Sequence, residues 1–257
     1  MKKRYIVYVA IFLAILIPSL WGIRGYYRDK YYKQGTELYK QQAYTKSIIY
    51  YDKALRLDNR FNKAWIAKGR ALESLGRFKE ELECYERVLK TDPNNMDALY
   101  NKGWVLYFEK RDKDAIECYD RLLKIDPKNK DALEKKASCL GDIRMYKEAL
   151  ECYDKVLVID PNDLDIYVSK ALILGCMGRF EEELATFDRV LKLNPNHIYT
   201  LKAKGLFLYA MHRNNEALEC FERVLAIDPK NEDCSGYKSS VCVLFIDSLR
   251  QLNPAIR

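Results

Sequence analysis

The 257-residue chain is too long for one small compact domain, yet no stretch rich in Pro, Gly or Ser divides it, which fits one elongated array better than two globules. Its formal charge of +7 is concentrated at one end: residues 1–33 hold Lys2, Lys3, Arg4, Arg24, Arg28, Lys30 and Lys33 against Asp29, a balance of +6. The rest is close to neutral and has no basic stripe, so nucleic acid is not an expected partner.

The first element in chain order is apolar. Tyr5 to Ile23 forms an uncharged run of 19 residues, long enough as a helix to cross a hydrocarbon core of about 30 Å. Trp21, Tyr26 and Tyr27 suit the lipid interface. The segment reads as an uncleaved membrane anchor over residues 1–27. A cleaved signal peptide is the competing reading, weakened by the lack of a small-x-small site after the apolar core. Three basic residues stand before the run and four after it, so the positive-inside rule comes close to a tie. The short charged N-terminal tail favours staying inside, which would put the repeats outside the cell, whereas unpaired cysteines lean the other way, so a cytoplasmic repeat domain is favoured only slightly.

Residues 28–231 are periodic. Pro93, Pro127, Pro161, Pro195 and Pro229 stand 34 residues apart, and Asn59 fills the slot before them. A fixed period of this length means stacked supersecondary units, none of which can bury its apolar side alone. In each unit an opening helix carries apolar residues around a small one: Trp65, Gly69, Leu72; Leu99, Gly103, Leu106; Leu201, Gly205, Leu208. A second helix repeats one buried stripe, Cys84, Tyr85, Val88, Leu89 and then Cys118, Tyr119, Leu122, Leu123. Gly76 and Gly178 suit helix C-caps, and Asn95, Asn129, Asp163 and Asn231 suit N-caps. The six units, the first degenerate, are each a helix, a tight turn, a helix and a proline-bearing turn.

These residues resemble the tetratricopeptide repeat. Leu99, Gly103, Leu106, Ala115, Tyr119, Leu122 and Pro127 fit its motif, as do Leu201, Gly205, Leu208, Ala217, Phe221, Val224 and Pro229. The resemblance implies an all-α fold, an α-solenoid wound as a right-handed superhelix, with a binding role and no reaction. The chain departs from the family twice. A ladder of Lys68, Lys102, Lys136, Lys170 and Lys204, continued by Lys238, replaces a preferred leucine. Its stems are expected to pack while the ammonium groups reach acids on paired helices, such as Glu83, Glu117, Glu151 and Glu219; an anion-binding strip is the alternative. Glu81 and Glu183 occupy alanine slots, and partial exposure is expected there, since burying an uncompensated carboxylate costs several kcal/mol.

All eight cysteines lie after the anchor, and Cys84, Cys118, Cys152 and Cys220 share one repeat position. They read as small core residues, because equivalent positions on stacked helices stand about 8–10 Å apart or more, beyond disulfide reach. No C-x-x-C pair exists, and His197 and His212, the two histidines, have structural or solvent-facing roles. With no phosphate loop, metal cluster or nucleophile elbow, neither an enzyme, a cofactor nor a small-molecule substrate is expected.

The resemblance places a partner on the face lined by the opening helices. There Tyr100, Trp104, Tyr107 and Phe108 form a stripe distinct from Leu99, Gly103 and Leu106, and two apolar stripes on one helix need two things to bury them. Val168, Leu172, Leu206 and Tyr209 extend the floor, while Arg70, Asn101, Glu134 and Lys202 supply polar points. Packing of the aromatic side chains on the next repeat is the competing reading. The family's carboxylate clamp is incomplete, with Ile66, Arg70, Asn101, Asp131 and Lys135 at its positions. Residues 232–257 read as a capping helix and tail: Cys242, Ile246 and Leu249 can pack on the array, leaving Tyr237, Val241 and Leu244 as a further contact or dimer face. The function expected is a non-enzymatic scaffold, tethered to the membrane, that binds a protein or peptide segment in its concave groove. A self-assembling structural or accessory subunit of a membrane-associated complex is the alternative.

Overall fold

The computed structural model describes residues 22–231, and all regular structure among them is helical. Residues 22–40 form α1. It is followed by α2 (Tyr44–Leu57), α3 (Asn62–Glu73), α4 (Phe78–Thr91), α5 (Met96–Phe108), α6 (Asp112–Ile125) and α7 (Lys130–Asp142). Then come α8 (Tyr146–Ile159), α9 (Leu164–Cys176), α10 (Phe180–Leu193), α11 (Ile198–Ala210) and α12 (Asn214–Ile227). Odd and even helices are the opening and second helices of the six units. Most of the expected membrane run and the whole capping helix fall outside the described residues; among those described, no helix is long and apolar enough to cross a membrane. Residues 22–27, the end of the expected anchor, are helical and continuous with the rest of α1.

The chain divides into two compact units, one up to Cys139 and one from Leu140, a division that composition does not announce. The first unit's core is built on aromatic rings seated against glycine. A Cβ on Gly69 would lie 2.7 Å from the Tyr85 ring, and one on Gly103 would lie 2.8 Å from Tyr119. Both tyrosines are fully buried, so the small residue of each opening helix is what lets the second helix close on it. In the second unit the same contact joins Gly205 to Phe221, whose ring a Cβ would meet at 2.6 Å. Around it Leu201, Leu208, Ala217, Cys220 and Val224 complete the core.

The turns within units repeat with the same period. Residues 42, 76, 110, 144, 178 and 212 all have positive φ, yet only Gly76 and Gly178 are glycine; the others are Gln42, Lys110, Arg144 and His212. Each turn is a Schellman closure. Arg77 N–H donates to Leu72 O at 3.0 Å, Arg111 to Leu106 at 2.9 Å, Met145 to Leu140 at 2.8 Å and Arg213 to Leu208 at 2.8 Å. Left-handed backbone costs an L-residue about 1–2 kcal/mol, partly offset by glycine's greater unfolded-state freedom. Arg144→Gly is therefore expected to raise stability by about 1 kcal/mol, and Gly178→Ala to lower it by a similar amount, in paired thermal melts.

The N-caps behave as the sequence predicts at three positions. Asn95 accepts from Ala98 N–H at 3.0 Å, Asn129 from Ala132 N–H at 3.0 Å, and Asp163 from Ile166 N–H at 3.1 Å. His197 stands at the next such slot without capping; its Nδ1 contacts Thr200 Oγ1 at 2.7 Å.

The five described lysines of the ladder are paired, with different acids from those expected; Lys238 lies outside the described residues. Lys68 reaches Asp52 at 2.7 Å, Lys102 reaches Glu86 at 3.0 Å, Lys136 reaches Asp120 at 2.5 Å and Lys204 reaches Asp188 at 2.5 Å, while Lys170 pairs with Asp154. Each lysine reaches back 16 residues, to the second helix of the preceding repeat. The acids share one repeat position, three residues beyond the Glu83 and Glu117 slot. Exposed pairs of this kind contribute only about 0–1 kcal/mol each. Their regular offset favours one stacking register, and it supplies the ladder with partners other than an external anion.

Candidate functional site

In the first unit Trp104, Tyr107 and Phe108 on α5 form an aromatic cluster, while Tyr100 and Asn101 on the same helix pack elsewhere. The Tyr100 ring meets buried Tyr119 edge-on with centroids 6.1 Å apart, so this side chain leans into the core. Burial is the main cause raising its phenol pKa, with Asp131 and Glu134 adding to it. Trp104 is half-buried and packs edge-to-face on Phe108 at 4.7 Å, with Tyr107 at 6.1 Å. Lys135 Nζ lies 4.9 Å from the Trp104 centroid and pairs with Glu134 at 3.0 Å. Phe108 is 57% exposed and is the most open ring of the group. Asn101 is half-buried, and its amide donates to Asp97 O at 2.6 Å.

Arg70 is exposed on α3 and borders a cavity of about 230 Å³, together with Tyr32, Thr36, Tyr39, Lys63, Ile66 and Asp97. Opening helices α1, α3 and α5 all contribute. The volume lies below the roughly 300–1,000 Å³ typical of small-molecule sites. Hydroxyls, two cations and a carboxylate surround an Ile66 floor. Tyr32, Thr36 and Tyr39 lie in the first unit, whose degenerate motif hides them from the sequence, and Lys63 and Asp97 open the next two units outside the aromatic stripe. The signal was available: Thr36 stands one period before Arg70, Tyr32 one period before Ile66, and Lys63 one period before Asp97.

In the second unit Leu172 and Leu206 are 41% and 37% exposed, whereas Lys202 and Tyr209 are half-buried, Tyr209 against the core that contains Leu201 and Leu208. Val168 does not belong to a binding floor. It is fully buried with Tyr167, Ala171, Phe187 and Val190. Val168 occupies the repeat slot of Tyr100, and its shorter side chain stops inside the core where the tyrosine ring extends across it.

The two glutamates in alanine slots are also buried, against expectation: Glu81 is 1% exposed and Glu183 5%. The cost of burial is met by protonation. Desolvation, joined by the nearby Glu73, raises Glu81 to about 8, while desolvation raises Glu183 to about 7. Glu81 Oε1 accepts from the Tyr85 hydroxyl at 3.1 Å. The Glu183 carboxyl lies over Gly175, where a Cβ would come within 2.5 Å of Oε2.

The described cysteines at the shared position are buried, and burial pushes the Cys84 thiol up to about 12. Cys139 is buried too, and Cys176 is exposed. No His, Cys, Asp and Glu cluster among the described residues has the arrangement to hold a metal ion.

Comparisons place this helical array among known repeats. The profile described as "Tetratricopeptide repeat" matches residues 32–94, "Anaphase-promoting complex, cyclosome, subunit 3" matches residues 74–156, and "Psidin, N-terminal TPR repeats region" matches residues 138–238. An uncharacterized protein of Methanocaldococcus jannaschii is 38% identical over 56 residues, which is 22% of this chain and 65% of that protein's length. Among solved structures, PilW, a type IV pilus biogenesis factor, is 17% identical with a TM-score of 0.69, covering 84% of this chain and 98% of its own. Pseudomonas aeruginosa PilF is 17% identical with a TM-score of 0.66, covering 84% and 99%. YrrB, a repeat protein with an unusual peptide-binding site, is 21% identical with a TM-score of 0.57, covering 74% and 97%. At these identities the structural likeness is one of fold.

Proposed function

The chain belongs to the tetratricopeptide-repeat family, and on that premise we propose that it is a non-enzymatic scaffold whose opening-helix face receives a protein or peptide segment beside a membrane. The observation that carries this reading is the pairing of exposed aromatic surface, Phe108 beside Trp104, with the polar cavity at Arg70 on the same set of opening helices. Aromatic rings near an arginine are the residue types that dominate protein interfaces. Peptide binding by YrrB lends the reading support by analogy of fold.

The tether is the apolar run from Tyr5 to Ile23. A basic cluster at the start of the array supports it. Arg24, Arg28, Arg56 and Arg60 border a cavity of about 510 Å³ at the start of the described chain, with Arg28 held by Asp29 at 2.8 Å and Asp58 at 3.0 Å. Basic groups just beyond a membrane segment favour an anionic leaflet surface. With the buried thiols of Cys84, Cys118 and Cys220, which form no disulfide, this supports a single-pass protein whose repeats lie on the cytoplasmic side.

A photo-crosslinking residue introduced in full-length protein at Arg70 or Phe108 is expected to trap a defined partner protein in membranes. The same probe at Glu83, exposed on the second helix α4, is expected to trap none of it. Equal trapping from all three positions would remove the opening-helix assignment.

A further inference from the structure

Glu81 stands where the other repeats carry Ser47, Ala115, Ala149, Glu183 and Ala217. Its Oε1 is held by the Tyr85 hydroxyl, but Oε2 is buried with no hydrogen-bond partner. An unmet buried oxygen normally costs about 1–3 kcal/mol. Glu81 also lines a cavity of about 210 Å³, whose other walls are Glu73, Phe78, Trp104, Val105 and Phe108. The cavity thus holds two carboxyl groups and three aromatic rings and has no basic residue in its lining. It is below the size of an ordinary small-molecule site.

We propose that this cavity receives a cationic side chain, lysine or arginine, from the segment bound on the opening-helix face. The inference rests on that reading of the face and adds the chemical class of the residue recognised. An apolar stem is covered by Phe78 and Phe108, the Trp104 ring attracts the charge, and Glu81 Oε2 gains the partner it lacks. Glu81 binds such a group as a carboxylate: its proton passes to solvent when the cation arrives, and the incoming ammonium or guanidinium keeps its own protons. The charged and titratable groups around it are Glu73 on α3, Tyr85 on α4 and Glu109 after α5; Arg70 acts on Tyr85, and Lys135 lies over Trp104 while paired with Glu134. Glu73 and Glu109 oppose ionisation of Glu81 in the empty site. A bound cation relieves that repulsion.

The test is calorimetric titration of the full-length chain in mild detergent with N-acetyl-lysine-methylamide, against N-acetyl-norleucine-methylamide, which keeps the four-carbon stem and lacks the ammonium group. The lysine probe stays charged throughout the range used. Its affinity is expected to rise about tenfold per pH unit between pH 6 and 8 and then level, with proton release on binding. The norleucine probe should show no such slope. Glu81→Ala and Glu81→Gln should abolish the slope, and Glu183→Ala should keep it. Equal binding of both probes, binding of neither, or a slope that survives Glu81→Ala would overturn the inference. Each of those outcomes leaves the face assignment standing, because crosslinking from Arg70 reads that assignment without using any residue of this cavity.

Discussion

Acidification from pH 9 to pH 5 is expected to stabilise the folded chain, the reverse of the usual behaviour of a protein with exposed ion pairs. Glu81 and Glu183 have folded pKa values of about 8 and about 7, both raised by burial above the ordinary carboxyl value. A raised carboxyl favours the folded state in its protonated form. That stabilisation is fully present below about pH 4.5. It falls as pH rises and is gone above the folded values. At roughly 1.4 kcal/mol per pH unit, the loss between pH 5 and the folded values is on the order of 4 kcal/mol for Glu81 and on the order of 3 kcal/mol for Glu183.

Opposing shifts exist at Asp29, Glu182 and Glu216, each lowered first by a hydrogen bond from an arginine, Arg28, Arg179 and Arg213 respectively. These groups sit at the surface, where screening leaves them little weight, and their effect is confined to pH below the ordinary carboxyl value. Urea unfolding at pH 5, 7 and 9 measures the balance. The double variant Glu81→Ala, Glu183→Ala should lose most of the pH dependence and exceed the unmodified chain in stability at pH 9. Alanine already fills the equivalent slot at Ala115, Ala149 and Ala217, all fully buried, so the replacement fits the packing. An unchanged pH profile in the double variant would show that these carboxyls are not the source.

The period made much of this fold legible. It located the six helix pairs, the small position at Gly69 and the buried aromatic position at Tyr85, and the caps at Asn95, Asn129 and Asp163. It failed where a residue's chemistry was weighed against a geometry common to all repeats. Glu81 was expected to stay partly wet because a carboxylate is costly to bury. The slot is closed in every described repeat, however, and taking up a proton costs less than opening the helix pair. The lysine ladder was assigned partners one helical turn from the right ones, since a side chain's reach across stacked helices depends on rotation that spacing alone does not supply. Val168 lies on the same helical face as Leu172, but its depth was set by side-chain length. The cavity beside Arg70 was missed through neglect of the first repeat, even though Tyr32 and Thr36 obey the period.

The second large effect concerns the partner. Trp104 and Phe108 together form the edge-to-face pair that stands out on the opening-helix face of the first unit, and central aromatic residues at interfaces are worth about 2 kcal/mol or more each. Phe108 is mostly exposed and Trp104 half-buried, so their truncation removes contact surface with little loss of core. The core rings Tyr85 and Tyr119 remain in place. The most direct measurement is quantitative co-purification, from solubilised membranes, of the protein trapped from Arg70, comparing the unmodified full-length chain with Trp104→Ala, Phe108→Ala. A fall in affinity of at least about thirtyfold, the effect of one such residue, and approaching a thousandfold if the two contributions add, with unchanged helical circular dichroism, is the result expected if the opening-helix face is the binding surface; full retention of the partner by a folded double variant would contradict it.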